Sequence, residues 1–385
     1  MTPSEQSILS RRTMLRGTLG VVAALPAVAV SPAMAQRAVM ERRGLPEDPA
    51  GMVASLTDAI YINSNESPLG PCRAALSALE ALPTLSGRYG MAFAANLERL
   101  FAKQNGLKPE MVTVHPGSFM PLRSVALAFS SVERPIVYAE PTFDSGFLGQ
   151  GNKCITRAVT VPLSGDYRID VRKLVAAAPD AGVIYLCNPN NPTGLVTSRA
   201  DIEWLLAHKP RGSVLLIDEA YIHFSDNAVS CLDLVARGED VLVTRTFSKI
   251  YGLAGLRCGL IAGRRDLLDR LLDYGINITP MPAVVAAEAS LLDTRLLAER
   301  KAYNAAVRDD LYLWLQGRGM RYLPSEASFA MIEVKRPGDA VTEVLRAKRV
   351  FISGPRKHMD DWVRVSFGTP TEMAAFKSAF AAVMG

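Results

Sequence analysis

Between residues 111 and 263, short runs rich in β-branched residues alternate with longer stretches whose apolar positions recur at helical spacing. The runs are 111–115, 135–140, 154–161, 183–187, 213–217, 241–244 and 258–262. None alternates strictly between apolar and polar positions, which marks strands covered on both faces rather than one. Helical patterns such as 200–208 and 265–272 lie between them. Strands separated by helices predict an α/β fold around a mostly parallel, seven-stranded sheet. A long helical pattern follows at 284–316, then three strand candidates, 330–334, 350–353 and 362–367, with helices at 340–347 and 371–383. That second set predicts a smaller α/β domain. The expected division is an N-terminal arm at 36–70, a large domain at 71–280 and a small C-terminal domain at 281–385.

Composition agrees with two lobes, because 385 residues exceed what one core comfortably holds. Apolar residues make up 49% and charged residues 21%, the balance of a globular enzyme. The net charge of +5 includes Arg11, Arg12, Arg16 and Glu5 near the start and forms no basic stripe, so nucleic acid is not implied. The first 35 residues read as an address. Ser10-Arg11-Arg12-Thr13-Met14-Leu15-Arg16 precedes a weakly apolar run, and Ala33-Met34-Ala35 offers a small-residue cleavage site before Gln36. Pro26 and Pro32 interrupt a stretch barely long enough to span a bilayer, so a signal peptide of the twin-arginine type is expected instead of an anchor. The mature protein is then expected to be periplasmic or otherwise exported by the twin-arginine route, with no membrane segment after cleavage. The five cysteines lack CxxC spacing and the four histidines lack metal spacing, so no disulfide framework and no metal site are expected.

Three strand ends carry the chemistry. After 183–187 comes Asn188-Pro189-Asn190-Asn191-Pro192-Thr193-Gly194, whose prolines and glycine fix the backbone around Asn191. After 213–217 comes Asp218-Glu219-Ala220-Tyr221, and after 241–244 comes Arg245-Thr246-Phe247-Ser248-Lys249, followed by Arg257. In open α/β sheets ligands bind at such carboxyl ends. In order and spacing, CNPNNPTG, DEAY and RTFSKIYGLAGLRCG resemble the fold-type I aminotransferases of class I/II that depend on pyridoxal 5′-phosphate (PLP). Within them the nearest likeness is to the histidinol-phosphate aminotransferase group. The resemblance runs from Tyr61 to about Thr371.

The resemblance implies PLP held as an aldimine on Lys249, with Asp218 beside the pyridine nitrogen and Asn191 and Tyr221 on the phenolic oxygen. It implies Phe143 stacked on the ring, and the phosphate held by Ser118 and Phe119 amides, Thr246, Ser248 and Arg257. It implies Tyr89 reaching the phosphate of the neighbouring subunit, hence a homodimer. Arg364 is implied for the substrate carboxylate and Asn65 for the substrate pocket. The expected reaction moves an amino group between an L-amino acid and a 2-oxo acid. The alternative with the same fold is a PLP-dependent lyase, decarboxylase or oxidase. Three departures stand out: Phe119-Met120 replaces an acidic pair, Ser328 replaces an asparagine, and Gly354 replaces the arginine that helps hold a phosphorylated substrate. Arg356 or Lys357 could take over from it, and an unphosphorylated amino acid is the expected substrate.

Overall fold

The computed structural model describes residues 59–385 apart from 86, 150, 152, 276 and 277. The expected signal peptide and most of the arm lie outside the described residues, and the described residues belong to one compact unit. The strands are β1 (Ile60–Tyr61), β2 (Val112–His115), β3 (Ile136–Glu140), β4 (Ala158–Pro162), β5 (Val183–Cys187), β6 (Val214–Asp218), β7 (Val241–Thr246), β8 (Gly259–Gly263), β9 (Phe329–Glu333), β10 (Val350–Phe351) and β11 (Trp362–Ser366). The helices are α1 (Arg73–Glu80), α2 (Met91–Gln104), α3 (Phe119–Phe129), α4 (Val171–Ala177), α5 (Arg199–His208), α6 (Leu232–Ala236), α7 (Arg265–Asp269), α8 (Met281–Leu292), α9 (Leu296–Gln316), α10 (Gly338–Ala347) and α11 (Pro370–Met384).

The seven-stranded sheet has the order β2-β8-β7-β6-β5-β3-β4, and only β8 runs against its neighbours. Every residue of β5, β6 and β7 is buried, as expected for strands roofed on both faces. Each fully buried Val, Leu or Ile there contributes about 1.5–3 kcal/mol through removal of its surface from water. In register, Cys187 lies beside Asp218 and Asp218 beside Thr244, so β5 and β6 end level and β7 runs two residues further. The third expected strand, 154–161, is shorter than its pattern: Cys154 makes a lone antiparallel bridge to Leu148 and β4 begins at Ala158.

Two expectations for the C-terminal part change. The 284–316 pattern is two helices with a break at 293–295. The break redirects the chain, because α8 buries Met281, Ala283, Val284, Ala286 and Ala287 beside α1 and α2 while α9 runs from Leu296 to a second core around Val307, Leu311 and Leu315. The 350–353 run does not join the other two late strands in one ladder. β9 and β11 pair antiparallel, whereas β10 pairs parallel with β1, so the N-terminal segment supplies the missing edge. This stitches residues 60–66 to the C-terminal part of the chain.

Candidate active site

Asp218 ends β6, fully enclosed. Its Oδ1 accepts from Thr244 Oγ1 at 2.9 Å and its Oδ2 from Tyr185 OH at 3.4 Å. Burial pushes its pKa up to about 6, with the Thr244 hydroxyl pulling the other way. No cation lies in ion-pair distance among the described residues, so this is a buried carboxyl waiting for a positive partner.

Lys249 follows β7 and donates from Nζ to the backbone oxygen of Ser64 at 3.1 Å, with Nζ 5.8 Å from the centre of the Tyr221 ring. Burial, then the neighbouring Arg364, lowers its pKa to about 8. The Tyr221 hydroxyl accepts from Asn65 Nδ2 at 3.0 Å and from Asn191 Nδ2 at 3.5 Å. Arg364, on β11, donates from Nη1 to Asn191 Oδ1 at 2.5 Å and from Nη2 to the Asn63 oxygen at 2.9 Å. Its Nε is buried without a partner, and burial, then Arg356, lowers its pKa to about 9. Asn191, Tyr221, Lys249 and Arg364 therefore converge from four separate parts of the chain.

An anion cup lies alongside. β2 ends at His115, Gly117 takes a left-handed backbone (φ 84°), and α3 starts at Phe119 with no side-chain cap on its first amides. Arg257 crosses directly over Gly117, where a Cβ would collide with the guanidinium. Arg257 Nη1 donates to Ser248 Oγ at 3.2 Å, and Thr246 Oγ1 accepts from the Ser248 amide at 3.1 Å. Free helix amides, two hydroxyls and a guanidinium form a site for a dianion. Arg257 and Asn65 themselves hold left-handed backbones (φ 66° and 55°), which side-chain-bearing residues rarely adopt.

Not every expected residue meets this cluster within the chain. Phe143 is half-buried against the group of Tyr138, Phe147 and Tyr185 beyond the end of β3. Tyr89 is 79% exposed. Asn65 does meet the cluster, through its amide nitrogen on Tyr221, and its amide oxygen accepts from Ser366. Sequence reasoning missed the buried pair Glu219 and Arg245, 2.7 Å apart, to which Ser230, the Cys231 amide and His223 are hydrogen-bonded. His223 belongs to that network: Arg245 Nη1 donates to its Nε2 at 2.9 Å, and burial, then Arg245, holds its pKa well below the usual value. The adjacency of Glu219 to Asp218 and of Arg245 to Thr246 was the one available signal.

The sequence family described as aminotransferase class I and II matches residues 57–380. The chain belongs to that family. It is an aminotransferase that depends on PLP and exchanges an amino group between an amino acid and a 2-oxo acid, with the α/β architecture of fold type I. The histidinol-phosphate aminotransferase of Symbiobacterium thermophilum is 30% identical over 348 residues, covering 89% of this chain and 95% of its own. Histidinol-phosphate aminotransferase 2 of Gluconobacter oxydans is 33% identical over 329 residues, covering 83% and 90%. The fold resembles that of the Sinorhizobium meliloti histidinol-phosphate aminotransferase solved with pyridoxal 5′-phosphate, at a TM-score of 0.79 and 24% identity, covering 89% of this chain and 96% of the other. These similarities favour amino transfer over the lyase, decarboxylase or oxidase alternative. The residues present fit PLP: a desolvated amine, a buried carboxyl without a cation, and a cradle that Gly117 keeps open for an anion.

Proposed function

We propose that this aminotransferase takes the amino group of an unphosphorylated L-amino acid and passes it to a 2-oxo acid, with PLP bound through Lys249. The single observation that carries this reading is the meeting of Lys249, Tyr221, Asn191 and Arg364 beside the buried Asp218. Bound PLP supplies a sink for the electron pair left at the substrate's α-carbon.

The side chains do the rest. Asp218 holds a proton on the ring nitrogen, and Thr244 and Tyr185 aim its oxygens. Asn191 and Tyr221 donate towards the phenolic oxygen. Lys249 Nζ, released when the substrate's amino group takes its place and with a pKa lowered to about 8, would take the α-proton and return it to the carbon on the far side of the nitrogen, two bonds away. Arg364, with its unpartnered Nε, receives the α-carboxylate as a fork. Ser118, Phe119, Thr246, Ser248 and Arg257 hold the phosphate, Phe143 covers the ring and Asn65 backs Tyr221. Gly354 supports an unphosphorylated substrate, because the expected arginine is absent and a side chain there would press on Asp339.

The same reading extends to assembly and location. Exposed Leu85, Tyr89 and Met91 form apolar surface that a second subunit would cover, with Tyr89 reaching the partner's phosphate site. Residues 1–35 are read as a twin-arginine signal, on the motif around Arg11-Arg12, and the mature enzyme as periplasmic or otherwise exported by that route. Two lobes, 71–280 and 281–385, are read on either side of the site.

The test is a half-reaction. Purified holoenzyme is mixed with a panel of L-amino acids and no acceptor. The visible absorbance of the cofactor should fade as one equivalent of 2-oxo acid appears. Release of ammonia, carbon dioxide or peroxide with no 2-oxo acid would refute transamination.

A further inference from the structure

A guanidinium outside the cluster ties together the two turns that bracket the Lys249 amine. Arg300 lies near the start of α9 and is 8% exposed. Its Nη1 donates to the Ile250 oxygen at 2.8 Å and lies 3.5 Å from Ser67 Oγ, and its Nη2 donates to the Gly70 oxygen at 2.6 Å. Ile250 follows Lys249 in a turn that the Gly252 amide closes onto the Lys249 oxygen at 3.0 Å. Ser67 and Gly70 bound a second turn, closed by the Gly70 amide onto the Ser67 oxygen at 3.4 Å. The two turns touch because position 252 has no side chain. Gly252 holds a left-handed backbone (φ 69°), and a Cβ there would run into the Gly70 carbonyl and lie 2.8 Å from Arg300 Nη1.

These contacts close a ring. It runs from the Lys249 backbone through Ile250 to Arg300, across the guanidinium to Gly70, and back along the chain to Ser64, whose oxygen accepts from Lys249 Nζ at 3.1 Å. The Nζ bond is given up whenever the amine takes part in the reaction. The bonds of Arg300 go to backbone oxygens that no reacting atom needs, so they persist.

Arg300 has no carboxylate within ion-pair distance among the described residues, and burial lowers its pKa while Cys72 and Asp293 pull weakly the other way. A buried guanidinium answered by carbonyl oxygens adds little net stability, and an apolar side chain of similar volume would serve packing as well. The other polar residues on this stretch of α9 each reach one segment: Lys301 the Ser225 oxygen at 2.8 Å, Tyr303 the Gly368 oxygen at 3.5 Å and Asn304 the Ala327 oxygen at 3.1 Å. Of these four, Arg300 is the one that bridges two turns. We propose that Arg300 is a positioning residue that holds segment 64–70 against the Lys249 turn, keeping the amine shielded from water and at a fixed reach. This inference rests on the reading of Lys249 as the amine that takes up PLP.

The experiment follows PLP capture by apoprotein in stopped flow across pH, for the wild type, Arg300→Met and Arg300→Lys. Methionine keeps the apolar stem and removes every donor, whereas lysine keeps the charge and loses the fork. The wild-type inflection falls near pH 8, and in both variants it should rise by at least about one unit, because burial is the largest cause that lowers the lysine's pKa. Arg364, Asp218 and Arg257 face the amine in all three proteins, and loss of Glu66 with its segment would move the inflection the opposite way. Both apoproteins should melt within about 5 °C of the wild type. An unmoved inflection overturns the proposal. So does a shift in Arg300→Met that Arg300→Lys lacks, which would assign the effect to charge, and so does failure of Arg300→Met to fold, which would make Arg300 a stability residue. Undiminished PLP capture by Lys249→Ala, in contrast, overturns the reading of Lys249 itself.

Discussion

Glu219 Oε2 and Arg245 Nε lie 2.7 Å apart in a buried ion pair that joins the residue after β6 to the penultimate residue of β7. Asp218 precedes Glu219, and Thr244 and Thr246 flank Arg245, so the pair clamps the two strand ends that present the site. Removing one partner leaves a buried charge uncompensated. Glu219→Ala should therefore cost about 3–5 kcal/mol of stability, read by urea unfolding of the apoprotein. A loss below about 1 kcal/mol would show that the pair is not a clamp.

Lys249 sets the pH dependence of cofactor capture. Only the neutral amine attacks the aldehyde of PLP, so the rate of reconstituting apoprotein should rise with pH and level off above the lysine's pKa. With that pKa lowered to about 8, the inflection should fall near pH 8 in stopped-flow absorbance traces. An inflection near the ordinary lysine value would mean that the amine is not desolvated.

Gly117 combines a left-handed backbone with the close crossing of Arg257. Gly117→Ala would push the guanidinium aside and strain the turn. PLP should then dissociate at least about tenfold more readily, measured by equilibrium dialysis, while thermal stability of the apoprotein changes little by comparison. Unchanged PLP affinity would remove the cup from the phosphate site.

Asp218→Asn should lower kcat by at least about 100-fold, since a neutral amide cannot sustain charge on the ring nitrogen as the reaction proceeds. The same residue affects apoprotein stability with a defined sign. Its pKa is raised to about 6 in the folded state from 3.8, so between those values the folded state holds the extra proton. Stability from this group is complete below about pH 4 and is lost as pH rises through 6, by up to about 3 kcal/mol. Urea midpoints of the wild type across this window, compared with Asp218→Asn, should show that difference in slope.

What was legible in the sequence is what short segments dictate. Runs at 183–187 and 213–217 without polar alternation announced buried parallel strands, and the strand-end positions of Asn191, Asp218 and Lys249 needed only the rule that ligands sit at carboxyl ends. What was hidden depends on pairings between distant residues. The β1–β10 ladder joins residues some 290 apart, which no local pattern encodes. The division of 284–316 into two helices follows from two cores that one straight helix cannot reach, although its periodicity is continuous. Tyr185 looked like one more apolar strand residue until β6 placed Asp218 within reach of its hydroxyl. Arg356 and Lys357 are neighbours of like charge, and the fold sends the first to Ser353 and the second to Glu140.

The central claim, that Lys249 carries the cofactor, has a direct measurement. Holoenzyme is reduced with borohydride, digested and mapped by mass spectrometry, which fixes the lysine-bound cofactor in place. The pyridoxyl label should be found on the peptide containing Lys249, with about one label per chain. A label on another lysine, or none at all, would contradict the account.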